Sequence, residues 1–155
     1  MSSPPREALV AWRMFFECGL ALQDILGAEL EAEVGLSFRW YDILVHLEEA
    51  GEGLPMNEIA SRILHSKSGL TRIIDNMEQA GLVRRERPED NRRVVLVFIT
   101  PEGLDTLANA RRFHRDGIRR HFTECLTEAE LKKLAQTLEK VRAHVGPLRP
   151  GRVNG

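Results

Sequence analysis

The stretch Ser66–Gly81, SKSGLTRIIDNMEQAG, decides how the rest of the chain is read. Leu70, Ile73, Ile74 and Met77 recur at helical spacing and form one apolar stripe. Ser68, Arg72, Asp75 and Gln79 point the other way, with Thr71 beside them. Ser66 is suited to cap the helix start, and Gly81 to end it in the left-handed conformation. The expected helix is about 21 Å long at 1.5 Å per residue. Its outer face is short-chained and polar, with one planar cation. Such a face suits a DNA major groove, where Arg pairs bidentately with guanine and a Thr methyl meets a thymine methyl. An ordinary solvated helix would carry much the same face, so the flanking segments decide.

Downstream of Gly81 the hydrophobic period changes from 3.6 to 2. Leu82–Arg87 (LVRRER) reads as one strand and Val94–Thr100 (VVLVFIT) as a stronger one. Between them, Pro88–Arg93 (PEDNRR) is a turn cluster with two arginines. Upstream, a helix expected over Met56–His65 buries Ile59, Ala60, Ile63 and Leu64, and Glu58 and Arg62 stand four apart on its outside. Two short helices with a tight connection followed by a basic hairpin form a winged helix-turn-helix pattern. In that pattern Ser68, Thr71, Arg72 and Asp75 face base edges, and Ser66 and Lys67 hold phosphate at the helix start. Arg85, Arg87, Arg92 and Arg93 of the hairpin contact phosphates or enter the adjacent minor groove.

The outer segments are longer helices. Pro5 opens one over Arg6–Glu33 whose apolar positions (Leu9, Trp12, Phe15, Phe16, Leu20, Ile25, Leu26, Leu30) exceed what one small domain covers, which points to a partner subunit. Ser37 caps a helix over Phe38–Ala50 that Gly51 ends, and Leu54 is placed to form a strand bridge. Thr100–Pro101 starts a helix reaching Phe122, with Leu104, Leu107, Ala108, Phe113, Ile118 and Phe122 inward. Thr127–Glu130 (TEAE) is a capping box for a last helix lined by Leu131, Leu134, Leu138, Val141 and Val145, closed by Gly146–Pro147.

Composition agrees with one globular domain. The chain has 155 residues, 43% hydrophobic and 29% charged, and no apolar run near the roughly 20 residues that span a bilayer. The start, MSSPPREAL, lacks a secretory pattern, and two cysteines, Cys18 and Cys125, make no disulfide framework. A cytoplasmic location is expected. The net charge of −1 divides unevenly: −7 over residues 1–53, +2 over 54–100 and +4 over 101–155. A polyanion-binding surface therefore belongs to the later two thirds.

GLSFRWYDIL (35–44), LPMNEIASRIL (54–64), SKSGLTRIIDNMEQAGLVRR (66–85), PEDNRR (88–93) and ITPEG (99–103) together resemble the multiple-antibiotic-resistance regulator (MarR) family of bacterial winged-helix transcription factors. The resemblance covers nearly the whole chain, spacing included. It implies a mainly α fold with a small β-hairpin: a winged helix-turn-helix flanked by N- and C-terminal dimerisation helices. It further implies a homodimer, binding to double-stranded DNA at a pseudopalindromic operator, most often repression, and release by a small phenolic or aromatic acid. The recognition helix maps to residues 66–80 and the wing to 82–100. The chain is then one domain, 1–155, with a reader over about 37–100, dimerisation helices over about 6–34 and 101–145, and a loose tail over 146–155. The family wing carries Asp-x-Arg, in which the acid orients the arginine. Asp90-Asn91-Arg92 fits that motif, but Thr100 lies one residue further on than usual. Counting back from Thr100 gives Asn91 and Arg93 instead, so both arginines are candidates.

Other chemistries fit less well. His65, Ser66 and Asp75 do not converge as a triad, and there is no Gly-rich phosphate loop, so an enzyme is not expected. His114, His121 and Cys125 fall at i, i+7 and i+11, without the tight pairs of zinc sites, and neither a metal nor a cofactor is expected. Cys18 lies near where organic-peroxide sensors of the family carry their reactive cysteine, which makes a thiol-based redox sensor an alternative. Apolar neighbours Phe15, Phe16 and Leu22, and a single tyrosine, Tyr41, favour a core cysteine instead. Trp12, Arg39, Trp40 and Tyr41 are candidates for a pocket holding an aromatic carboxylate, with Arg39 as its bidentate partner. The same aromatics serve equally well in core and dimer packing. A winged helix that binds protein and not DNA is a further alternative. It calls for an apolar recognition face, and this one is polar.

Overall fold

A computed structural model describes residues 3–63 and 68–146. The elements in order are α1 (Arg6–Val34), α2 (Phe38–Ala50), β1 (Leu54–Pro55), α3 (Met56–Arg62), α4 (Leu70–Gln79), β2 (Val83–Glu86), β3 (Leu96–Ile99), α5 (Pro101–His121) and α6 (Glu128–Val145). A 3-10 turn at Thr123–Cys125 separates the last two helices. The three strands form an antiparallel sheet in the order β1-β3-β2, with Leu54 opposite Val97 and Val83 opposite Ile99. The mainly α winged helix-turn-helix with a small sheet is therefore present.

Caps written into the sequence set most boundaries. The Ser37 hydroxyl accepts from the Trp40 N–H, and Thr100 from Gly103. Thr127 and Glu130 complete their capping box, at 3.3 Å and 2.8 Å. Glycine in the left-handed region ends α1 at Gly35 and α2 at Gly51.

The organising helix departs from expectation. It runs from Leu70 to Gln79, ten residues or about 15 Å, and its N-cap is Gly69 at φ 71°, with no side-chain cap. α3 also ends earlier than expected: Ile63 is already extended, at φ −65° and ψ 142°. Ser66, Lys67, Leu64 and His65, to which cap, phosphate and core roles were assigned, lie outside the described residues. The hairpin strands are also shorter than their periodicity, since residues 87–95 form an open wing tip.

The core joins Leu30 of α1, Ile43, Leu44 and Leu47 of α2, Ile59 of α3, Ile74 and Met77 of α4, Val83 and Val97 of the sheet, and Leu107 and Ala110 of α5. On α5 two glycines join Leu107 and Ala110 on the buried face. Gly103 and Gly117 are buried, whereas Leu104 and Ala108, expected inward, are exposed. A Cβ on Gly103 would overlap the Leu82 carbonyl, and one on Gly117 would come within 2.7 Å of Leu26. Close helix approach there leaves no room for larger inward residues.

α1 stands largely clear of this core. Leu30 is its one buried residue, and Leu9, Val10, Trp12, Met14, Phe15, Phe16, Leu20 and Ile25 are exposed. Cys18 is exposed with them, so within the chain it is not a core cysteine. Val141 and Val145 at the end of α6 are exposed as well.

Candidate nucleic-acid interface

α4 buries Leu70, Ile74 and Met77 and turns Thr71, Arg72, Asn76 and Gln79 outward. Ser68, exposed, lies in the turn before the helix and not on it. That turn is anchored from α2: Arg39 Nη2 donates to the Ser68 carbonyl at 2.6 Å. The outer face is thus polar, as expected, and its N-terminal edge is tied to the helix below.

Asp75 and Arg85 meet each other. Arg85 Nη2 donates to Asp75, and the same guanidinium grips Glu78 Oε2 through Nε at 3.0 Å and Nη2 at 2.8 Å. The Arg85 backbone N–H donates to Glu78 Oε1 at 2.9 Å. Hydrogen bonds from Arg85 hold the Glu78 carboxyl below its ordinary range, and Glu78, then Asp75, push the arginine up. The Arg85 side chain is 27% exposed. Sequence reasoning placed Asp75 on bases and Arg85 on phosphate; within the protein each is already engaged. It also missed Glu78, which lies seven residues before Arg85 and across a turn from it.

On the wing, Asp90, Arg92 and Arg93 are exposed. Arg87 Nη1 donates to the Arg92 carbonyl at 3.1 Å, bracing the tip from within. Among the described residues, Asp90 makes no ion pair with Arg92 or Arg93, so the acid-braced arginine of the family wing is absent. Arg84 lies over the Phe98 ring, 4.4 Å from its centroid, and pairs with Glu86.

The four candidate pocket residues are not brought together in one protomer. α1 meets α2 at Gly27, where an added Cβ would lie 3.8 Å from Phe38. Trp12 is fifteen residues earlier, about 22 Å along the axis. Its ring, 62% exposed, stacks on Phe16 at 5.8 Å. Trp40 and Tyr41 pack against the core. Tyr41 and Phe38 enclose His114, at 5.2 Å and 5.3 Å between centroids, and burial pushes the His114 pKa down. His121, weighed with His114 and Cys125 against a metal site, pairs with Glu29 at 2.6 Å, and no metal-binding group of His, Cys, Asp or Glu occurs among the described residues.

A polar-faced helix standing beside a basic wing, with long helices outside it, is the arrangement found in known regulators. The model of the MarR family matches residues 34–94. AbsC, a MarR family transcriptional regulator from Streptomyces coelicolor, is 32% identical, with 94% of this chain and 98% of that one aligned at a TM-score of 0.79. The chain belongs to the MarR family. Sco3205, a family member from the same organism crystallised with DNA, is 27% identical over 96% of this chain and 99% of its own, with a TM-score of 0.80. The transcriptional repressor IacR of Pseudomonas putida is 33% identical over 66% of this chain and 60% of its own. This MarR-family protein is thus a DNA-binding transcriptional regulator and not an enzyme. No helix among its described residues is long and apolar enough to cross a membrane.

Proposed function

We infer that this regulator acts as a homodimeric repressor, with one domain per chain that divides into a reader over about 37–100 and dimerisation helices on either side. The observation that carries the reading is the pairing of two surfaces: a polar α4 face beside an exposed wing, and an unburied apolar face along α1. Eight exposed large apolar residues on one helix are more than a lone soluble domain normally leaves to water. A second copy covering them would set two α4 helices about one DNA turn apart, roughly 34–36 Å, on a pseudopalindrome. Repression follows the kinship with IacR.

In this reading Thr71 and Arg72 face base edges and Ser68 approaches from the preceding turn. Ser66 and Lys67 hold phosphate, and Arg87, Arg92, Arg93 and Asp90 shape the wing contact. Asp75 and Arg85 act within the protein first. A small aromatic acid is the proposed releasing ligand, its carboxylate taken by Arg39 beside Trp40 and Tyr41. Arg39 already holds the turn ahead of α4, so a ligand there would act on the reading element directly.

Two experiments test this. Sedimentation of wild type and of Phe16→Asp separates dimer from monomer. A dimer that the substitution dissociates supports the reading, and a wild-type monomer at micromolar concentration contradicts it. Thermal unfolding with millimolar salicylate tests release: stabilisation in wild type that Arg39→Ala abolishes supports the ligand site, and no shift removes it.

A further inference from the structure

α4 carries a contradiction for a helix that approaches a polyanion. Besides Arg72 it bears two carboxylates, Asp75 and Glu78, on or beside the outward face. Left bare, both would repel phosphates. One side chain answers both. Arg85, on the first strand of the wing, makes three hydrogen bonds to Glu78, one from its backbone and two from its guanidinium, and one more to Asp75. It is the most enclosed of the wing arginines, whereas Arg87, Arg92 and Arg93 are exposed.

Resting on the reading of α4 as the DNA-reading helix, we propose that Arg85 is a positioning residue: an internal counter-ion that joins Asp75 and Glu78 of α4 to β2 and so fixes the angle between recognition helix and wing. Nε and Nη2 are committed to the two carboxylates, so a phosphate contact through either would release an acid beside the DNA. The forked, planar guanidinium sets this geometry: Nε and Nη2 converge on Glu78 Oε2 while Nη2 also donates to Asp75, and a lysine ammonium, a single point on a flexible stem, lacks that fixed fork. The residue therefore acts on DNA through α4 and the hairpin, not by contact.

A double-mutant cycle on one duplex tests this, the duplex being the tightest that wild type selects from a random pool. Arg85→Ala in the wild-type background should weaken the selected duplex at least 10-fold and shuffled DNA much less. In a background carrying Asp75→Asn and Glu78→Gln, the same change should cost under 3-fold. Arg85→Lys, which keeps the charge without the fork, should lose at least 5-fold. Urea unfolding of each variant confirms that binding is measured on folded protein, so a general loss of stability does not imitate the change in the selected-to-shuffled ratio. Equal losses from Arg85→Ala in both backgrounds, or wild-type binding by Arg85→Lys, would mean a direct phosphate contact and overturn the proposal. If no duplex is enriched at all, the reading of α4 falls, and this inference with it.

Discussion

Gly103→Ala should destabilise the protein, although alanine is the better helix former. Gly103 lies in the first turn of α5, where alanine would contribute up to about 1 kcal/mol by propensity. The new Cβ would overlap the Leu82 carbonyl oxygen, and would lie 2.9 Å from Ile99 Cγ1 and 3.1 Å from the Leu82 carbonyl carbon. That carbonyl cannot swing away freely. It accepts from the Thr100 N–H at 3.1 Å, and the Thr100 hydroxyl donates to the neighbouring Gly81 carbonyl at 2.6 Å. Helix and strand must separate, at about 1–3 kcal/mol or more for overpacking. The net loss is then about 1–2 kcal/mol, a fall in Tm of roughly 2–8 °C for a chain of this size. Thermal unfolding at matched protein concentration reads it. An unchanged or higher Tm would refute the inference that α5 approaches the sheet edge closely enough to require glycine.

Other outcomes test the interface and the caps. Arg72→Ala should cost about 1–3 kcal/mol on the selected duplex and relax preference at one base pair, as read by anisotropy on single-base variants. Arg93→Ala should weaken all duplexes alike and flatten the salt slope; losses confined to one base pair would contradict a phosphate role. Thr127→Ala should cost about 1 kcal/mol in urea unfolding by opening the capping box, and no change would mean that α6 does not need it. The Glu29 pKa is lowered, first by its hydrogen bond to His121 and against some desolvation, with Arg120 adding to the effect. A lowered carboxylate stabilises the fold above its unfolded pKa and loses that contribution as pH falls through the folded value. The Tm difference between wild type and Glu29→Gln should thus be largest near neutrality and close in acid; a difference constant down to pH 3 would contradict it.

Elements bounded by side-chain caps were legible in the sequence. Ser37, Thr100 and Thr127 each announce a helix start with a local hydrogen bond, and each makes it. The start of α4 was not legible in the same way. Ser66 offered a cap, but Gly69 takes the left-handed turn, and backbone freedom at a glycine leaves no periodic trace. The candidate interface divided along similar lines. The outward set on α4 follows from helical spacing, so Thr71 and Arg72 were placed correctly on its surface. Arg85 was read as one more wing arginine because its partners lie seven and ten residues earlier, across a turn whose geometry charge counting does not resolve. Trp12 and Arg39 share a chemistry and an expected place at the junction of dimer helices and reader, but within one protomer the length of α1 separates them.

The most direct test of the central claim is fluorescence anisotropy of the purified protein on its selected duplex and on a shuffled copy, over a salt series. The account predicts one dimer per duplex, with binding at least 10³-fold tighter than to the shuffled copy near physiological salt. Equal affinity for the two duplexes at every salt concentration would contradict it.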